Sequence, residues 1–432
     1  MVPHLATALT GPINELEQRI LDCMPAIERW FRLEWMEHTP PFYTAVDVRN
    51  AGYKLAPVDT HLFPDAWHLL SESMMPLVVQ AAQAAVEKIC PEARNLLVVP
   101  RSSTLDAGQL ANLAQLRRVF AQAGLHVRMG SISPDLNAPR EYTLPDGDSI
   151  TVEPVFQQGG RLMLADFDPC TILLNNDLRA GVPGILEDLH TQFLLPPLHA
   201  GWDTRRKSRH LANYDEVTKR FGKLIGVDPW LMTTLSQGCG VADIRQPRDV
   251  QQLTDQVADL LVKLRRRHKE YGVEEEPYAV LKADNRTAEN AIICVRDAQE
   301  VAQRLAQLAP QCSKRAEGSP LEWLVQEGVM TCERLHGAVA EPVVYMMDRY
   351  VVGGFYRVHP GLQPTDGLVV PGHATVPLSF EHSTQLPKTG VKPGASAPNR
   401  FYMYGVIARL AMLAASYELE ATDPQLELLE AQ

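Results

Sequence analysis

Side chains able to hold anions gather in a few short stretches of this 432-residue chain. Asp47-Val-Arg-Asn50, with Lys54 and Asp59-Thr60 close behind, sets cations and acids among apolar neighbours. A free amino acid needs a cation for its carboxylate and an acid for its ammonium. Arg49 or Lys54 with Asp47 or Asp59 could supply both, although an ordinary ion pair in a solvated turn has the same composition. Arg205-Arg-Lys207, followed by Arg209 and His210, concentrates positive charge suited to a phosphate or carboxylate, or forms a solvated charged loop. Lys282 ends a short apolar run from which an ammonium can point at a phosphate or snorkel at a strand edge. Val325-Gln-Glu-Gly328 has strand-like flanks, and backbone groups at such a hinge could hold an adenine edge. Asp348 and Arg357 fall on neighbouring strand-like runs, a set suited to magnesium and a transferring phosphoryl group, or to a structural ion pair in a hairpin.

These groups need elements to position them. Ile13, Leu16, Ile20, Met24, Ile27 and Phe31 recur at helical spacing, with Pro25 expected to kink or split the helix. Residues 39–70 read as loops around short strands, and residues 72–89 as a helix. A βαβ-like unit follows: Leu96-Leu-Val-Val99, a helix over Gln109–Gly124, and a strand over His126–Gly130. Residues 137–168, with Asp146-Gly147 and Gly159-Gly160, read as rich in hairpins. Thr171-Ile-Leu-Leu174 is a further buried strand, and Asn175-Asn176-Asp177 stands at its carboxyl end, where open α/β sheets bind ligands and where turn and cap residues are also common. Beyond a boundary in the loop Pro196–Trp202, helices are expected over 212–226, 248–270, 297–308 and 401–418. Strands are expected over 278–283, 292–295, 323–327, 343–347 and 351–356. The alternation predicts α/β or α+β layers, not a bundle or sandwich.

The length predicts two or three domains at roughly 150 residues each. With 41 basic and 52 acidic side chains, the net charge of -11 argues against nucleic-acid binding and leaves a local cationic pocket open. No apolar run approaches the roughly 20 residues of a membrane span, and no charged, apolar leader opens the chain. The 7 cysteines are scattered without a Cys-x-x-Cys, so neither a zinc site nor a redox pair is expected, and reduced thiols in the cytoplasm are.

Order and wording go further than any one stretch. Thr39-Pro-Pro-Phe-Tyr43, Asp47-Val-Arg-Asn-Ala-Gly-Tyr-Lys-Leu-Ala-Pro-Val-Asp-Thr60, Ile172-Leu-Leu-Asn-Asn-Asp177, Leu195-Pro-Pro-Leu-His-Ala-Gly-Trp202, Gln326-Glu-Gly-Val329, Ala340-Glu-Pro-Val-Val-Tyr-Met-Met-Asp-Arg349 and Gly353-Gly-Phe-Tyr-Arg-Val-His359 resemble, in order and over nearly the whole chain, the proteobacterial glutamate–cysteine ligase family of the Thiobacillus ferrooxidans type. The resemblance implies an N-terminal α/β domain over 1–200 and an ATP-grasp-like nucleotide-binding domain over 201–432. It implies an ATP- and Mg²⁺-dependent ligase that makes γ-glutamylcysteine, the first step of glutathione synthesis, through an acyl phosphate. Small substrates (glutamate, and cysteine or another amine) are then the partners, with a homo-oligomer allowed. By the same resemblance Lys282 contacts the ATP phosphates, Gln326, Glu327 and Gly328 line the adenine site, Asp348 helps hold Mg²⁺, and Arg357 stabilises the transferring phosphoryl group. Arg49, Asn50, Asp59, Asn175, Asn176, Asp177, Arg205, Arg206 and Lys207 are the substrate-side candidates.

Departures fall at polar positions. Where the family pattern follows Lys-Ala-Asp with a glycine-rich run, this chain continues Asn285-Arg-Thr-Ala-Glu-Asn-Ala291, without the glycines that bring backbone N–H groups onto phosphate. Arg286 could bind phosphate by its side chain there, whereas Glu289 would repel it. Gly367-Leu-Val-Val-Pro-Gly372 replaces an Asn-Leu-Asn segment, leaving Asp366 as the substitute metal ligand. Pro100-Arg-Ser-Ser-Thr-Leu-Asp106 replaces an acidic stretch, and His61 and His68 stand where asparagines are expected. Three readings follow: glutamate–cysteine ligase, a carboxylate–amine ligase with changed substrates, and a non-catalytic paralogue.

Overall fold

The computed structural model describes residues 5–6, 11–101, 105–189, 191–285, 291–313, 321–359, 374–378 and 400–424. It is a mixed α/β protein built on three main sheets and a two-stranded ribbon.

The first sheet has the spatial order Phe193–Leu195, Thr171–Asn175, Asn95–Pro100, His126–Ser131, Ser149–Pro154, Arg140–Thr143. Every neighbouring pair is parallel except the last. Leu96-Leu-Val-Val99 is continuously apolar because both faces are covered. Leu96 and Val98 pack with Leu113, Leu116 and Phe120 of the helix Ala107–Gln122, while Leu97 and Val99 pack with Leu162, Leu164 and Phe167. Asp106 and Gln109 cap that helix reciprocally, at 2.8 and 3.0 Å. Pro25 sits in the first turn of a second helix. The chain forms Pro12–Asp22, breaks at Cys23 and resumes as Met24–Glu37, so the proline splits the periodic run, as its chemistry predicts.

The second sheet is antiparallel throughout. Its centre is the hairpin Ala338–Met347/Tyr350–His359. The second strand of this hairpin pairs with Ala374–Pro377 and the first with Arg334–Leu335, which in turn pairs with Leu5–Ala6. The free length of the first strand takes Tyr43–Asn50, which carries Leu55–His61 on its other edge. One face of this sheet lies under the helix Phe401–Glu420. That helix is buried almost all round because the helix Lys207–Ile225 covers its other side.

The third sheet, Ser236–Ala242, Leu321–Glu327, Ala279–Ala283, Ile292–Val295, is also antiparallel. Its apolar face takes Leu253, Val257, Leu260, Leu261 and Leu264 of the helix Pro247–Tyr271 and Val301 and Leu305 of the helix Glu300–Ser313. The strands of the parallel sheet lie within 95–195, while the second sheet draws strands from both sides of residue 200. Among the described residues no helix is long and apolar enough to cross a membrane.

Candidate functional site

Strand alternation turns the second sheet into a two-sided device. Asp47 pairs with Asp59 on one edge and Val343 on the other, and Arg357 pairs with Glu341. Residues two apart share a face, so Asp47, Arg49, Asp59, His61, Glu341, Arg357 and His359 stand on one side. Val46, Val48, Val344 and Met346 fill the other, under the C-terminal helix.

On the charged face each acid meets a cation. Arg357 donates to Asp47 at 3.3 and 3.4 Å, and His61 lies 3.6 Å from the same carboxylate. Glu341 pairs with Arg49 and lies 3.2 Å from His359 Nε2. Burial disfavours both carboxylates in their charged form. Arg357 and His61 outweigh it at Asp47, and Arg49, His359 and Arg357 at Glu341, so each is held below its usual range. Arg49 also donates to the Val329 carbonyl at 2.8 Å and the Tyr278 hydroxyl at 3.1 Å, so its guanidinium ties the second sheet to the third.

Beside this face Lys282, Lys207 and Asp59 converge. Lys282, next to last in its strand, is 2 % exposed and donates to the Val58 carbonyl at 3.1 Å. Lys207 meets Asp59 at 2.5 Å and lies 4.8 Å from the Trp202 ring centroid. The segment Lys282-Ala-Asp284 positions both lysines. The Asp284 carboxylate accepts from the Ser208 amide at 2.7 Å and the Ser208 hydroxyl at 2.5 Å, and its carbonyl accepts from the Lys207 amide at 3.0 Å, which caps the helix that carries Lys207. Burial pushes the Lys282 ammonium down to about 8 against the pull of Asp59, while Lys207 and Lys282 overcome burial to hold Asp59 well below the carboxylate range. A cleft lined by Val58, Asp59, Thr60, Trp202, Lys207 and Lys282 lies between them, and its enclosed part has room for about one water.

Arg205 lines the same cleft but is neutralised from behind. It donates to both oxygens of Glu418 at 3.1 and 2.9 Å, and His210 lies 3.3 Å from Glu418 and 3.0 Å from the Thr60 hydroxyl. Arg206 faces outward to Glu322 at 2.6 and 2.9 Å.

The remaining candidates are placed elsewhere. Glu327 is paired with Lys54 at 2.7 Å and accepts from the Leu235 amide at 2.9 Å. The Lys54 ammonium lies 4.1 Å from the Trp230 ring centroid. Gln326 donates to Thr234 at 2.9 Å, and the Gly328 amide to the Tyr278 carbonyl at 2.8 Å. A Cβ on Gly328 would stand 2.1 Å from the Tyr278 ring, so only glycine permits this contact. Asn50 donates to Glu333 at 3.0 Å within the interior. Asn175 is a buried structural link, donating to the Pro64 carbonyl at 3.1 Å and accepting from Asn112 at 2.9 Å. Asn176 accepts from the Leu178 amide at 3.1 Å, and Asp177 pairs with Arg179 at 2.6 Å. The Asp177 carbonyl accepts from the Trp202 amide at 2.9 Å, which links this turn to the cleft indirectly.

Asp348 stands in the turn between the two strands of the hairpin, and Arg357 lies toward their open end. Met347 pairs with Tyr350 at the hairpin tip, whereas Arg357 pairs with Glu341 near its open end, roughly 20 Å away at 3.3 Å per residue. Asp348 lies 3.3 Å from Lys88. Arg286 and Asp366 lie outside the described residues. Among the described residues no group of three His, Cys, Asp or Glu side chains could hold a metal ion. Glu341 and Glu418, which hold the arginines in place, escaped the sequence reading. The one visible signal was Glu418 near the end of a helix that is otherwise largely apolar.

The family model described as Glutamate-cysteine ligase matches residues 17–419. The candidate gamma-glutamylcysteine synthetase of Methylobacillus flagellatus KT superposes with a TM-score of 0.90 at 49% identity, over 98% of this chain and 100% of that one. D-alanyl-alanine synthetase A of Vibrio cholerae O1 biovar eltor (TM-score 0.31, 10% identity, 66% of this chain and 74% of that one) is too loosely similar to carry an argument. So is a glutathione synthetase-like effector of Globodera pallida (0.32, 10%, 79% and 76%). No curated protein matches the chain. With the match running through both the charged sheet face and the lysine cleft, the chain belongs to the glutamate-cysteine ligase family.

Proposed function

We propose that the protein is an ATP-dependent carboxylate–amine ligase with an ATP-grasp-like core, acting on glutamate and cysteine. The γ-carboxylate of glutamate takes the terminal phosphoryl group of ATP, and the cysteine amine then displaces phosphate to leave γ-glutamylcysteine. The observation that carries this reading is the convergence of Lys282 and Lys207 on Asp59 beside Trp202, next to a sheet face that carries Arg49 and Arg357. Two anionic substrates need cations held in fixed positions while charge shifts between them, and buried lysines supply these with little reorganisation. In this reading Lys282 meets phosphate oxygens, Lys207 and Asp59 exchange their mutual contact for the charged ends of an amino acid, and Arg357 faces the transferring group.

The divalent cation that the family implies finds no ready cage among the described residues. The acids nearest the cleft, Asp47, Asp59 and Glu341, are already neutralised by Arg357, Lys207 and Arg49. We therefore assign no step to it. The same saturation of cations by internal acids, with a segment after Lys282 that contains no glycine, favours one second reading, a paralogue that binds without turning over. ADP release with glutamate, cysteine and Mg-ATP separates the two. Cysteine-dependent release supports the ligase, and no release above background from folded protein overturns it.

A further inference from the structure

Two cysteines far apart in sequence meet in space. The sulfurs of Cys90 and Cys170 are 3.7 Å apart, although the residues are 80 positions apart in the chain. Cys90 closes the helix Met75–Ile89, its amide donating to the Val86 carbonyl at 2.8 Å. Cys170 precedes the strand Thr171–Asn175, and its carbonyl accepts from the Phe193 amide at 2.9 Å. Thr171 is in register with Leu96, so both thiols sit at the amino-terminal edge of the parallel sheet, next to Asn95. Both are free and half-buried, within reach of a small reagent. The other neighbours of the Cys170 sulfur, the Thr171 hydroxyl at 3.6 Å and the Asn95 carbonyl at 3.9 Å, are weak partners that leave it able to turn. A disulfide needs about 2.05 Å between sulfurs, so closure requires roughly 1.7 Å of approach shared between two side chains, within the range of χ1 rotation.

We propose that Cys90 and Cys170 form a reversible thiol–disulfide site whose oxidant is a low-molecular-weight disulfide. One thiolate attacks a sulfur of the small disulfide and expels one small thiol. The second thiolate then attacks the protein sulfur of that mixed disulfide and expels the other. The protein loses two hydrogens as the small disulfide is reduced to two thiols, so atoms and electrons balance. Burial and the neighbouring thiol push the Cys90 thiol up, so it is not an activated nucleophile; nearness drives the second step. The absence of a Cys-x-x-Cys had argued against a redox pair, and the fold supplies one across the sheet. The bond would fasten the end of a helix that also packs on the hairpin Ala338–His359, and so join the parallel sheet to the element it shares with the second sheet. This inference does not depend on the ligase reading.

The test treats folded, full-length protein with glutathione disulfide, alkylates the remaining thiols and maps the peptides by mass spectrometry. The expected result is a linked Cys90/Cys170 peptide, reversed by dithiothreitol, with the thermal midpoint raised by about 2–5 °C because the bond closes a long loop. Cys90→Ser and Cys170→Ser, with Cys90→Ala and Cys170→Ala in case serine is poorly tolerated, should each lose the linked peptide and retain a glutathione adduct on the remaining partner. Alkylation of both cysteines at equilibrium, separate adducts on each in the unmutated chain, absence of any adduct in the single variants, or linkage to a different cysteine would overturn the proposal.

Discussion

Lys282 carries its charge where charge is costly, and its titration should be visible in function. Its ammonium titrates near 8, so substrate anions lose their cation as pH rises through that value. In the ligase reading the KM for ATP should rise between pH 7.5 and 9.5, and Lys282→Arg should flatten that rise. Lys282→Ala should lower ADP release by about 100-fold or more, as expected for a fixed charge lost from a dry site. Stability moves the other way. The unfolded chain keeps this proton up to the ordinary lysine range, so it binds more protons than the fold above about 8, and this group adds stability as pH rises there. Glu333 is a second such group. It accepts from Asn50 and from the Tyr404 hydroxyl, its other oxygen has no hydrogen-bond partner among the described residues, and burial raises it to about 7. Between the ordinary glutamate value and 7 the fold binds the extra proton, so stability falls as pH rises through that window. Glu333→Gln should flatten the fall and be more stable than the parent at pH 8 by roughly 1–3 kcal/mol, measured as urea midpoints from pH 5 to 8.

Single elements of this protein place groups for one another. Asp284 directly follows the strand Ala279–Ala283 that carries Lys282 and caps the helix of Lys207, so Asp284→Ala should cost about 1–2 kcal/mol as a lost cap. It should also raise the KM for glutamate by releasing the Lys207 turn, and Asp284→Asn should recover much of the stability. Gly328 permits contact between the hinge and the Tyr278 ring. Gly328→Ala should cost about 1–3 kcal/mol by overpacking, seen as a lower thermal midpoint. Much of this was legible in the sequence because the signals are local. Leu96–Val99 declared itself as a strand buried on both faces, the stripe from Val250 to Leu264 as a helix, and Asp146-Gly147 and Gly159-Gly160 as turns. The strand Tyr43–Asn50 was harder, because its alternating charges resemble a polar loop until a partner sheet is known. Which side chains meet was not legible. Arg49 finds Glu341 only through pairing across about two-thirds of the chain, and the distance between Asp348 and Arg357 depends on where the hairpin turns. Cys90 and Cys170 meet for the same reason: the fold brings the end of a helix to the start of a strand, and spacing along the chain does not show it.

At the scale of the molecule, buried ion pairs bind the layers together. Arg205 and Glu418 join the segment before the Lys207 helix to the C-terminal helix, with Thr60 of the second sheet within reach. Glu418→Gln leaves the arginine buried without its counter-charge and should cost about 3–5 kcal/mol, whereas replacing both by apolar residues of similar size should cost much less. The Glu418 carboxyl is buried, yet Arg205 and His210 hold it down at about 2. Its contribution is therefore complete above the ordinary glutamate range and lost as pH falls toward 2, and the Gln variant should unfold in acid with a shallower pH dependence. The interleaved second sheet has a consequence for synthesis. Its strands at 43–61 find their partner at 338–347, whereas the strands of the parallel sheet all lie within 95–195. A ribosome adding about 5–20 residues per second leaves the outer edge of the Tyr43–Asn50/Leu55–His61 hairpin unpaired for roughly 15–60 s after it emerges. The parallel sheet can form while the chain is still growing, but the face that carries Asp47, Arg49 and Asp59 waits for the last fifth of the protein. Slow translation beyond residue 200 would lengthen the exposure of those strand edges, and holdase chaperones would find this protein at that stage of its life.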